Sequence, residues 1–68
     1  MRFYFHVSDI ARNTFDRDWR GHEFNSVNDA MAHAQSLRID LSEELRFQGY
    51  VIITDDDKKK LGALEVSH

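Results

Sequence analysis

The chain predicts an α+β domain of two layers: an antiparallel sheet of three to four strands with one long helix packed across one face, in the order β-β-α-β-β. Three observations carry this expectation. Apolar residues recur at spacings of three and four along residues 27–47, the period of a helix with one buried stripe. Residues 2–8 and 50–54 alternate side to side, the period of a strand. Each of these strands is accompanied by a second extended piece beyond a polar connection, so each flank reads as a hairpin. A helix laid over a sheet buries both amphipathic surfaces at once.

In the first strand Phe3, Phe5 and Val7 point one way, and Tyr4, His6 and Ser8 the other. Residues 9–13 connect it to a short strand at 14–16. Residues 17–21 form a turn in which Gly21 can take a positive φ. Residues 22–24 are a further short extended piece. Ser26 is placed to cap a helix and Asp29 to complete a shortened capping box. The stripe behind them is Val27, Ala30, Met31, Ala34, Leu37, Leu41 and Leu45. Gly49 is the expected stop, with Phe47 folding back over the last turn, giving a helix of roughly 30 Å. In the following strand Val51 and Ile53 share the inner face, and Tyr50, Ile52 and Thr54 the outer. Residues 55–59 read as a hairpin loop. Residues 60–66 return with Leu64 and Val66 inward, Gly62 on that same side, and Leu61, Ala63 and Glu65 outward. The expected core is Phe3, Phe5, Val7, Phe15, Phe24, the helix stripe, Val51, Ile53, Leu64 and Val66. The last hairpin is expected to be antiparallel, and strand order stays open, including whether residues 2–7 lie beside 60–66.

At 68 residues the chain is expected to form a single domain, residues 1–68, with a thin core. It contains no Cys, hence neither a disulfide nor a thiolate metal site. The opening residues lack the long apolar run of a signal peptide, and no segment approaches the roughly 20 apolar residues that span a bilayer. The expected location is cytoplasmic, with no membrane partner. Twelve acids outnumber nine Lys and Arg for a formal charge of −3, which disfavours a binder of phosphate backbones. No Pro and only three Gly argue against a disordered linker.

Motifs that would carry chemistry fall short. Residues 16–21 begin like a calcium loop, with Asp16, Asp18 and Gly21 in place, but Arg20 and Val27 occupy positions that need oxygen ligands. A tight polar turn is the expectation. Asp55, Asp56 and Asp57 are opposed by Lys58, Lys59 and Lys60, the pattern of a solvated hairpin tip that discourages edge pairing. His6, His22, His33 and His68 form no metal-spaced pair, although His6 and His22 could meet across the sheet. Ser8 with Asp9, and Ser26 with Asp29, have local structural roles rather than triad geometry. The three Gly are too dispersed to cradle phosphate. The chain is therefore expected to be no enzyme and to use neither cofactor nor metal.

The face away from the helix holds the candidate interaction residues: Tyr4, His6, Tyr50 and Ile52, flanked by Thr54, Leu61, Ala63 and Glu65, with Trp19 a further anchor in the turn. A partly apolar patch of this kind suits a second copy, forming a homodimer, or another protein. The alternative is a single-stranded nucleic-acid binder or antitoxin-like regulator that stacks bases on the same aromatics and uses Lys58–60. The acidic balance ranks nucleic acid below protein.

The chain resembles domain of unknown function 6894, a family of short bacterial proteins. The residues that carry the likeness are Arg2-Phe3-Tyr4-Phe5-His6-Val7 with Asp9, Asp16 to Gly21, Phe24, and Asp29-Ala30-Met31-Ala32. Near the end, Val51-Ile52-Ile53-Thr54-Asp55 and Leu64-Glu65-Val66 complete it. The resemblance covers essentially the whole chain and implies strands around one helix; it brings no catalytic or ligand residues. The family's final turn usually contains a Gly, where this chain has Asp56-Asp57-Lys58-Lys59, implying a wider loop.

Overall fold

A computed structural model describes residues 1–44 and 46–67. The chain runs β1 (Arg2–Asp9), β2 (Thr14–Asp16), β3 (His22–Glu23), α1 (Val27–Ser42), β4 (Gln48–Thr54) and β5 (Lys60–Ser67). All pairings are antiparallel, in one five-stranded sheet of order β2-β1-β4-β5, with β3 also on β1. This is the two-layer α+β architecture expected, with one helix across one face. β1 lies beside β4, not β5, which places the two longest apolar alternations at the centre of the sheet.

β2 and β3 divide one edge of β1 between them. β2 pairs at Val7, Ser8 and Asp9, and β3 at Arg2 and Phe3. Between these stretches the chain leaves the sheet plane at residues 17–21, and the Asp18 carboxylate accepts the Phe5 N–H at 3.1 Å. A side chain thus stands in for the missing strand.

The inner face buries Phe3, Phe5, Val51, Ile53 and Val66 against Ala30, Ala34 and Phe47. The small residues Ala30 and Ala34 let the helix approach the strands closely. Ser26 Oγ accepts the Asp29 N–H at 3.1 Å, the expected cap. The helix packs mainly over β4 and β5, and Arg38 Nε reaches the outermost strand, donating to the Glu65 carbonyl at 2.9 Å. Toward β1 the helix contributes the His33 ring, which with those of Phe24 and His22 covers the inner face of that strand. His33 lies 4.8 Å from Phe5, 5.3 Å from Phe24 and 5.1 Å from His22, centroid to centroid.

Several expectations are corrected. The helix stops at Ser42 rather than running to Phe47. Its last turn tightens as Glu43 and Glu44 donate to the carbonyls three residues back, and Arg46 takes a φ of 68°. The predicted stripe position Leu45 lies outside the described residues. Sixteen residues make the helix about 24 Å long. Gly49 does not end it but lies in β4 opposite Asp9, where a Cβ would fall on the Ser8 carbonyl. Phe47 packs in the core, and the chain must turn before it so that Gln48 can start β4. Val27, first in the stripe, is 42% exposed rather than part of the core.

Phe15 is not in the core: it is 56% exposed, since its partner in the register is Ser8, an outer-face residue. Leu61 packs against the core instead of facing out. The ladder slips between Ile53 and Thr54, pairing Ile53 with Gly62 but Thr54 with Lys60, and the extra residue of such a bulge changes its direction. His6 and His22 do not meet, because His22 pairs with Phe3 and shares its inner face while His6 points outward. No described helix is long and apolar enough to cross a membrane.

Candidate functional site

The outer face is set by strand register. Tyr4 faces Thr54, His6 faces Ile52 and Ser8 faces Tyr50 across β1 and β4, so the predicted residues Tyr4, His6, Tyr50 and Ile52 do share one surface. Rings stack along it. Tyr4 and His6 are nearly parallel with centroids 6.5 Å apart, and His6 and Phe15 stack at 6.0 Å.

At one end this surface deepens into a hollow of ≈ 330 Å³. Tyr4, His6 and Trp19 line it, with Arg17, Asp18, Thr54, Asp56 and Lys58. Three of the expected interaction residues therefore converge, while Tyr50 and Ile52 lie farther along the sheet. Trp19 stands at the rim, 80% exposed, with the Arg17 guanidinium over one side of its ring at 4.8 Å.

His6 is the organiser of the hollow rather than a contact surface, being only 8% exposed. Its Nδ1 accepts the Asp18 backbone N–H at 3.0 Å, so the ring proton sits on Nε2, which donates to Thr54 Oγ1 at 3.1 Å. Burial pushes its pKa below the ordinary 6.5; Asp18 opposes that shift and Arg17 adds to it. The ring is thus a neutral tie between the 17–21 strap and the sheet.

Asp18 is the second tie. Besides Phe5 N–H, its carboxylate accepts the N–H of Arg20 at 3.2 Å and of Gly21 at 3.0 Å. Burial acts to raise its pKa, yet the backbone donors of Gly21, Phe5 and Arg20 outweigh it and hold the group below its ordinary value. The acids that began like a calcium loop therefore include one already filled with backbone donors. Gly21, at a φ of 71°, closes this strap where a Cβ would strike Tyr4 and the Phe3 carbonyl.

The remaining polar groups of the hollow are differently disposed. The Asp56 carboxylate receives only a long bond from Arg2 N–H at 3.5 Å. Among the described residues, the Lys58 ammonium, the Arg17 guanidinium, the Tyr4 hydroxyl and the Trp19 indole N–H have no hydrogen-bond or ion-pair partner. Among the described residues, no group of three or more His, Asp or Glu could hold a metal ion.

Thr54 was expected beside this face, whereas Phe15, Arg17, Asp18 and Asp56 were not foreseen as parts of one site. A tally of alternation places Thr54 on the right face, but Phe15 and the strap depend on β2 pairing with β1, which no local pattern encodes. Comparison with protein-family models, curated proteins and solved structures returned no match.

Proposed function

We propose that this domain is a non-enzymatic recognition module that binds protein through the outer face of its sheet, by self-association or by taking another chain. One observation carries the reading: Tyr4, Phe15, Ile52 and Tyr50 share the side of the sheet that the helix leaves uncovered, with the nearly buried His6 ring stacked between Tyr4 and Phe15. An apolar surface bordered by charge is the usual make-up of an interface core and rim. The resemblance to domain of unknown function 6894 belongs to the same proposal and supplies no competing site.

Amide NMR spectra recorded over a concentration series test this reading. Shifts confined to residues around Tyr4, Phe15, Tyr50 and Ile52, abolished by Ile52→Lys, are the expected result. A chain that stays monomeric with unchanged spectra removes self-association. The second reading, single-stranded nucleic acid, draws on Lys58 standing in the same hollow as Tyr4 and Trp19, where a base could stack beside a cation. Labelled oligonucleotides titrated at low salt decide it, and binding insensitive to salt would end it.

A further inference from the structure

Residues 17–24 pass from one side of the sheet to the other, and a histidine meets them on each side. On the outer face His6 Nδ1 accepts the Asp18 N–H at 3.0 Å. On the inner face His33 packs on the Phe24 ring at 5.3 Å and on the His22 ring at 5.1 Å, centroid to centroid. Two rings from separate elements, β1 and α1, thus hold one short segment.

Both contacts favour a neutral ring. The His6 proton sits on Nε2 toward Thr54, so an added proton goes to Nδ1 and sets two N–H groups against each other where one bond stood. A protonated His33 brings a charge among the rings of Phe5 and Phe24 and beside His22. Burial holds both histidines below the ordinary 6.5, and the charged groups around them do not reverse it. His6 faces Arg17, which disfavours its cation, and Asp18, which favours it; Tyr4, Asp56 and Lys58 share its hollow. His33 faces His22, which disfavours a second cation, and Asp18, which favours one. The Asp18 carboxylate, which acts on both, already accepts from the N–H groups of Phe5, Arg20 and Gly21.

The other ties of the segment lie at the edge of the sheet. β3 has two residues, paired with Arg2 and Phe3. The Phe24 N–H donates to the Met1 carbonyl at 3.0 Å, and Arg2 donates to the Arg20 carbonyl at 2.6 Å. β1, β4 and β5 pair with one another, and α1 packs over them, without its help. Peripheral units of this kind open by themselves, at less free energy than global unfolding.

We propose that residues 17–24 form an acid-released clamp: protonation of His6 on one face and of His33 on the other frees this segment, Trp19 included, while β1, β4, β5 and α1 stay folded. Release uncovers the Phe5 N–H on the edge of β1 and the ring of Phe5 on its inner face. The inference does not depend on what the outer face binds.

Hydrogen exchange followed by NMR on the full chain between pH 8 and pH 5 tests it, with rates corrected for the intrinsic effect of pH. The amides of Phe5, Asp18 and Phe24 report release, and those of Val51 and Ile53 report global unfolding. A ring that is neutral when held and charged when free raises the opening constant by at most about tenfold per pH unit, and two such rings by at most about a hundredfold. The three amides should open together, more readily than β4, with an opening constant that climbs as pH falls below about 6.5. His33→Phe, and His6→Asn, which keeps one acceptor and one donor, should each lessen the climb, and the double variant should remove it. Far-ultraviolet circular dichroism at pH 8 verifies that each variant is folded. Amides that exchange only together with β4, no climb in the wild type, or a climb that either single variant retains in full each overturns the inference.

Discussion

His6 has both ring nitrogens engaged, one accepting a backbone N–H and the other donating to Thr54, and only the neutral ring can do both. His6→Leu should leave the Asp18 N–H without its partner and cost about 1–3 kcal/mol, read as a lowered thermal midpoint. Asp18→Ala should cost more, since the N–H groups of Phe5, Arg20 and Gly21 all lose their acceptor. The pH dependence follows from the same contacts. His6 and His33 both titrate below their ordinary 6.5 in the folded chain, the first through burial and the second through burial and then proximity to His22. A His with a depressed folded value binds its proton more readily when unfolded. Stability is therefore full above about 6.5 and declines as pH falls through that value. Asp18, also depressed, adds a second loss below its ordinary 3.8. Urea midpoints between pH 8 and pH 3 should decline in these two stages, and His33→Phe should flatten the first. Tyr4, His6, Tyr50 and Ile52 were legible on the outer face from alternation alone, but their ties were not: an Asp in a polar turn gives no sign of which distant N–H it will accept.

Among the elements, the strands followed their alternation and the helix began at its cap, while the helix end departed from the pattern. Apolar spacing continues past Ser42, but the chain has to reverse before Gln48 so that β4 can pair with both β1 and β5. Strand pairing overrides the periodicity. Gly49 serves that pairing, since its partner strand leaves no space for a Cβ. Gly49→Ala should therefore destabilise by more than about 4 kcal/mol, observable as loss of the cooperative unfolding transition. The β4–β5 turn offers the reverse case. Asp55 Oδ1 accepts the N–H of Asp57 and of Lys59, each at 2.9 Å, and Lys58 is left at a φ of 64°. That is the conformation in which Gly carries no Cβ penalty. The loop is tight after all. Lys58→Gly should raise stability by about 0.5–1 kcal/mol, measured by chemical denaturation. Far-ultraviolet spectra should be unchanged.

At the scale of the molecule, one short helix cannot cover five strands. α1 lies mainly over β4 and β5, its His33 ring joins Phe24 and His22 in covering the inner face of β1, and among the described residues the strap at 17–21 crosses the outer face. A chain of this size buries little apolar surface on its own, and self-association through the outer face, as proposed, would add stability by mass action. On that proposal the thermal midpoint should rise with protein concentration in the wild type and stay level in Ile52→Lys, as differential scanning calorimetry can read.

By itself the sequence determined the layers, the order of elements, the helix cap and the inward set Phe3, Phe5, Val51, Ile53 and Val66, because period and capping are local properties of the chain. Tertiary structure alone decided that β1 neighbours β4, that Phe15 faces outward, that Leu61 turns in at a bulge, and that Tyr4, His6 and Trp19 surround one hollow. Each of these depends on register between segments far apart in the chain. A shift of one residue in register exchanges the two faces of a strand, and only the packed sheet selects among the possible registers.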